Sequence, residues 1–93
     1  MMNLVDVTNS YARVITEELR TSSTHYIKVY TLGNSVVVHK KKADRHEIVI
    51  SNKLRPITDK ELKFVVSRLL GDKKDEASVS DAGNVVEIQA QID

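Results

Sequence analysis

Tyr26-Ile27-Lys28-Val29-Tyr30-Thr31-Leu32-Gly33-Asn34-Ser35-Val36-Val37-Val38 is the stretch on which the fold turns. Ile27 and Val29 alternate with Tyr26, Lys28 and Tyr30, which is the period of two that separates the faces of a strand. Gly33-Asn34 suits the positive-φ positions of a two-residue hairpin turn. The β-branched run Val36-Val37-Val38 is poor helix material and reads as the returning strand. A loop over Lys40–Asp44 and a further strand at Ile48-Val49-Ile50 extend the hairpin to a three-strand meander over residues 25–51.

Beyond the meander, Thr58-Asp59-Lys60-Glu61 matches a capping box, with Ile57 and Leu62 placed as a hydrophobic staple. Leu62, Val65, Val66, Leu69 and Leu70 form an unbroken apolar stripe, and Gly71 ends it, predicting a helix over 58–70. Residues 72–84 read as an acidic loop. Val86, Ile88, Ala90 and Ile92 then alternate with polar residues, predicting an edge strand over 85–92. Before the meander, Asn3–Thr8 reads as a first strand and Thr8-Asn9-Ser10 as a capping segment. Tyr11, Val14, Ile15 and Leu19 line one face of a helix over about 10–21.

The order β-α-β-β-β-α-β implies a right-handed crossover between parallel first and second strands. With so few residues, both helices are expected on one face of a mixed sheet. The expected class is α/β (α+β), a two-layer sandwich in one domain over 1–93, with its compact core in 3–71.

Composition removes whole function classes. The 93 residues carry 14 basic and 13 acidic side chains, so the chain as a whole is no polycation. Zero cysteines exclude a disulfide scaffold, a zinc finger, an iron–sulfur site and a thiol nucleophile. No apolar run reaches the length of a membrane span, and Met1–Asp6 has no signal-peptide character. A cytoplasmic protein with no membrane association is expected. Charge is uneven, with seven basic and two acidic residues over 25–56, against two and six over 72–93.

Three segments together resemble a known family: Val5-Asp6-Val7-Thr8-Asn9-Ser10-Tyr11, Val29-Tyr30-Thr31-Leu32-Gly33-Asn34 and Ser51-Asn52-Lys53-Leu54-Arg55-Pro56-Ile57. It is a family of short proteins of unknown function found in enterococci, streptococci and lactobacilli. The resemblance covers about residues 3–70 and leaves out the acidic tail. It implies a cytosolic bacterial protein and brings no activity, ligand or catalytic residue.

Nothing points to catalysis. There is no thiol, no serine in a nucleophile elbow and no glycine-rich phosphate loop, so no catalytic residue, cofactor or metal site is expected. His25, His39 and His46 lack metal-ligand spacing, although His39 and His46 could meet across their hairpin. Three binding readings remain. The expected one is a small non-enzymatic module acting through protein contacts, as a homodimer or with a partner, using a bare sheet face with Tyr26, Lys28, Tyr30 and Val37 or the terminal strand. The first alternative is nucleic acid held by Lys40, Lys41, Lys42 and Arg45, with Tyr26, Lys28 and Tyr30 as a stacking platform. The second is a small anion at the helix N-termini. If the first, second and fourth strands point the same way, Asn9, Ser10, Asn34, Asn52, Lys53 and Arg55 gather at one end of the sheet.

Overall fold

A computed structural model describes residues 2–92. Its elements run β1 (Leu4–Asp6), a 3-10 turn (Thr8–Tyr11), α1 (Ala12–Thr21), β2 (Thr24–Leu32), β3 (Ser35–Lys42), β4 (Arg45–Ser51), α2 (Asp59–Leu70), a second 3-10 segment (Gly71–Glu76), β5 (Ser78–Asp81) and β6 (Val85–Gln91). Among the described residues one sheet holds all six strands, in the order β1-β2-β3-β4-β6-β5, and every pairing is antiparallel. The class is α+β.

The meander forms as its sequence dictates. Leu32 pairs with Ser35 across a two-residue turn in which Gly33 alone takes a positive φ, 59°. The next turn is tighter than expected: β3 reaches Lys42 and β4 starts at Arg45, so only Ala43 and Asp44 remain between them. The lysines predicted in a loop are strand residues.

The mixed sheet is corrected. Leu4 lies opposite Leu32 and Asp6 opposite Tyr30, so β1 runs antiparallel to β2 and no crossover exists. The cause is the link before α1. Val7 still bonds Val29, and the 3-10 turn at Thr8–Tyr11 passes straight into α1 at Ala12, so the helix continues in the direction of β1 and does not double back over it as a crossover helix would. The strand, the turn and the helix therefore run back along a single strand, β2. The Thr8 hydroxyl fastens this arm by accepting from the Val29 amide at 3.1 Å, and Val7 N–H donates to the Val29 carbonyl at 2.9 Å. Thr8-Asn9-Ser10 forms the 3-10 turn itself, and α1 starts after Tyr11 without a side-chain cap.

Both helices on one face is likewise corrected. Directly opposed residues in a ladder share a face. One face therefore carries Leu32, Val37, Ile48, Ile50, Val86, Ile88 and Ala90, and these join Val65 and Leu70 of α2 in the core cluster. The other face carries Ile27, Val29, Val38, Lys40 and Val49. There Glu18 of α1 meets Lys40 at 2.6 Å, which puts α1 on the face opposite α2. Helix α1 has no buried residue, and the buried apolar side chains on its face of the sheet are Ile27 and Val29.

The tail is also different from its expected form. Residues 72–84 contain the second 3-10 segment and β5, and β6 is an inner strand between β4 and β5. Alternation in β6 was the right pattern, since Val86, Ile88 and Ala90 are all at most 2% exposed. The true edges are short, as edges usually are: three residues in β1 and four in β5.

Ile88→Ala should therefore cost about 2–5 kcal/mol, as deletion of fully buried aliphatic groups does. Val79→Ala on the exposed edge strand should cost under about 1 kcal/mol. Urea unfolding followed by circular dichroism separates the two; equal small losses would make the tail peripheral.

Candidate functional site

The densest polar cluster sits where β2 and β4 end and α2 begins. Glu61, buried in the first turn of α2, carries it. Arg55 grips this carboxylate with both ends of its guanidinium, Nη1 to Oε1 at 2.7 Å and Nη2 to Oε2 at 3.1 Å. The Ser35 hydroxyl donates to Oε2 at 2.7 Å, and the Thr58 amide donates to Oε1 at 3.0 Å. Glu61 N–H in turn donates to the Thr58 hydroxyl at 3.1 Å, completing the capping box that the sequence announces.

A second tier fixes the first. Asn52 Nδ2 donates to Asn34 Oδ1 at 3.0 Å and to Ser35 Oγ at 2.9 Å. Asn52 Oδ1 accepts the Leu54 and Arg55 amides, which folds the β4–α2 link into a compact turn. Asn52 and Asn84 then exchange bonds, Asn52 N–H to the Asn84 carbonyl and Asn84 Nδ2 to the Asn52 carbonyl, each 2.9 Å. Among the described residues no buried side-chain nitrogen or oxygen lacks a partner. The buried polar atoms of this cluster are partnered from within.

The expected anion residues divide accordingly. Asn34, Asn52 and Arg55 do come together. Asn9 and Ser10 do not, because the reversed β1 carries them down β2 past Val29, away from the end where Asn34 lies. Arg55 gives its charge to Glu61, and Lys53 is exposed beside Asn34, Val36, Ser51 and Leu54 on the far side of the sheet. An open groove of about 590 Å³ runs past the cluster between β1, the β2–β3 turn and the start of α2, lined by Val5, Leu32, Arg55, Thr58, Lys60 and Glu61 among others.

The basic hairpin splits by strand alternation. Lys40, Lys42 and Arg45 leave the sheet on the α1 face and are paired, Lys40 with Glu18, Lys42 with Glu47 at 3.5 Å, and Arg45 with Glu47 and Asp44 at 2.7 and 2.8 Å. Tyr26, Lys28, Tyr30 and Lys41 lie on the α2 face. A continuous basic stripe is absent from these residues. The expected bare face is corrected too: Val37 is fully buried beneath α2, and Tyr30 packs against that core.

His39 and His46 meet as the hairpin register allows, with His39 Nε2 and His46 Nδ1 2.9 Å apart. Tyr26 sets its ring edge-on to His39 at 5.4 Å between centroids. Burial, with His46 and Lys28 adding to it, pushes His39 down to about 4. Burial also lowers His46, with Lys41 and Lys73 contributing. Among the described residues no group of three or more His, Cys, Asp or Glu side chains could hold a metal ion.

Sequence reasoning missed Ser35, Asn84 and the double role of Glu61. The readable signal was the capping box, six residues downstream of an arginine. The partners Ser35 and Asn84 are 26 residues before and 23 after Glu61, and only the closed sheet brings them in.

A family model described as a domain of unknown function (DUF1827) matches residues 2–91, so the match runs through the acidic tail. A crystal structure of a conserved protein of unknown function from Streptococcus thermophilus LMG 18311 superposes with a TM-score of 0.88 at 23% identity, covering 98% of this chain and 97% of that one. That likeness is one of fold. No curated protein matches the sequence. No helix among the described residues is long and apolar enough to cross a membrane.

The cluster has a pH signature. Chiefly through the Arg55 bonds, helped by Ser35 and Thr58 and opposed by burial, the Glu61 carboxyl falls from 4.5 to about 2. Between those values the unfolded chain binds a proton that the folded chain refuses. This contribution to stability is therefore complete above about pH 5 and is lost as pH falls toward 2. Glu61→Gln should cost about 2–3 kcal/mol at neutral pH and flatten that acid limb in urea unfolding curves. An unchanged acid limb would show that the carboxylate is not held as described.

Proposed function

Since this chain belongs to the DUF1827 family, whose description assigns no activity, we propose its function from its own surface: a non-enzymatic contact module that pairs with a second copy. The observation that carries this reading is the uncovered face of the sheet. Beyond the short cover of α1, Val36, Val38 and Val49 lie side by side and half-buried. Leu54 at 77% exposure and Val85 at 41% continue the apolar surface. Contiguous exposed apolar area with a polar rim is the usual mark of an interface.

Charge selects a second copy as the occupant. Lys53 and Glu87 flank the valines on this face, and neither forms an ion pair among the described residues. A two-fold interface places the same patch against itself, so one surface must supply both halves of each pair. This face does. The Glu61 cluster, which adjoins this surface at Asn34 and Asn52, has its buried polar atoms partnered from within, and this supports a scaffolding role for it. The reading takes the protein as cytoplasmic and working without a cofactor, in keeping with the family resemblance.

Sedimentation equilibrium should give a mass near twice the 10.5 kDa of one chain. Lys53→Glu should weaken association about tenfold, worth about 1.4 kcal/mol, and adding Glu87→Lys should restore it. Leu54→Asp, at an exposed position, should leave the fold intact and yield monomers. A mass of one chain at every concentration overturns the proposal.

A further inference from the structure

On the α2 face, well away from the valine surface, strand register gathers a second group of cations. Lys41 of β3 lies opposite Tyr26 on one side and opposite His46 on the other, while Lys28 lies opposite His39. Opposed residues in a ladder stand about 5 Å apart at Cβ, so these side chains crowd one patch. Lys28 and Lys41 form no ion pair among the described residues, unlike Lys40, Lys42 and Arg45 on the other face. Lys73 faces His46 from the 3-10 segment after α2, its amine donating to the Gln91 carbonyl at 3.3 Å. Asp6 of β1 is the carboxylate facing Lys28, and it is already held by the Thr8 amide at 2.9 Å.

The histidine pair gives the patch a particular chemistry. Two neutral imidazoles 2.9 Å apart share one hydrogen, donated by one ring and accepted by the other. His39 is 4% exposed and His46 more open, and Nε2 is the His46 nitrogen that the bond to His39 leaves unused. When the pair gains a proton, His46 carries a hydrogen on both nitrogens. Its Nδ1–H then donates to His39 Nε2, and His39 keeps its hydrogen on Nδ1. Nε2–H of the cationic His46 is left pointing outward as a charged donor. A second proton would set two N–H groups against each other, so the pair holds one.

We propose that His46, backed by His39 and flanked by Lys41, with Lys28 on the far side of His39, is a proton-linked site for a single phosphate-class oxyanion, such as a phosphate monoester. The anion oxygens accept from His46 Nε2–H and from the Lys41 amine, and Lys28 adds positive charge from beside His39. Binding draws one proton into the pair, and a proton already there strengthens binding by the same factor. A nucleic-acid strand needs a row of such contacts, and the remaining hairpin cations are on the opposite face and paired. Tyr26 is edge-on to His39 and Tyr30 is packed on the core, which leaves neither as a free stacking platform.

The test uses the whole chain and sodium sulfate, which has no titration near neutrality, against sodium chloride at equal ionic strength. Histidine and lysine resonances are followed by NMR, and phenyl phosphate is then used as the monoester. Sulfate should shift His46, Lys41 and Lys28 saturably, raise the pKa of His46, and bind at least about fivefold tighter near pH 5.5 than near pH 7.5. His46→Gln should abolish the pH dependence, Lys41→Gln should weaken binding about tenfold, and Lys42→Gln, on the other face, should change neither. Shifts spread evenly over all surface lysines, affinity independent of pH, or tighter binding of oligothymidylate than of phenyl phosphate would each overturn the site.

Discussion

A single buried carboxylate holds the architecture together. Glu61 closes the N-terminus of α2, receives Arg55 from the link before it, and receives Ser35 from the start of β3. Without these partners, burying a charge would be costly; with five donors converging on it the carboxylate becomes a fixed joint between helix and sheet. Every element on the α2 side is placed relative to this joint. Asn52 extends it into the β4 exit, and Asn84 extends it into the β5–β6 turn. The aliphatic core of Val37, Ile50, Val65 and Val86 supplies cohesion, but it is non-directional; the polar joint sets where the helix starts and which way it lies.

The two faces of the sheet are consequently unequal. Helix α2 covers its face with Leu62, Val65, Val66, Leu69 and Leu70, whereas α1 contributes no buried residue to the other. A longer or more apolar first helix would have sealed the valines of β3 and β4. Instead α1 runs along β2, held by the Thr8 bonds to Val29 and by Glu18 reaching Lys40 of β3. The same alternation that buries one set of side chains divides the basic hairpin. Lys40, Lys42 and Arg45 are neutralised by Glu18, Asp44 and Glu47, whereas Lys41 lies beside the histidine pair.

What could be read from the sequence was local. The Gly33-Asn34 turn, the capping box at Thr58–Glu61 and the alternation of Val86, Ile88 and Ala90 each stand on contiguous residues, and each element formed where its pattern lay. Strand direction was not local. The crossover inference treated α1 as a bridge between parallel strands, but the chain does not reverse between β1 and α1: Val7 still bonds Val29 and the 3-10 turn at Thr8–Tyr11 leads straight on into the helix. From that one reversal follow the loss of Asn9 and Ser10 from the cluster and the helices on opposite faces. Position along the chain misled in the tail, where Val85–Gln91 suggested an edge yet pairs on both sides. For the cluster, Asn34, Asn52 and Arg55 were legible because turn and cap residues mark the ends of strands. Ser35 and Asn84 were not, because a serine in a turn looks the same whether or not a distant carboxylate is folded onto it.

The inner place of β6 has a consequence for how the protein is made. Synthesis delivers β4 long before the strand that pairs with it, and β5 before the neighbour that attaches it to the sheet. Until Val85–Gln91 emerge, β4 presents an open edge and the hydrophobic side of α2 has only part of its floor. The nascent chain thus passes through a stage in which a sticky strand edge and an incomplete core coexist, the condition under which chains pair with the wrong neighbour. Completion of the core comes as one late step, because the strand that closes it also brings in β5 and, through Asn84, locks the Asn52 turn.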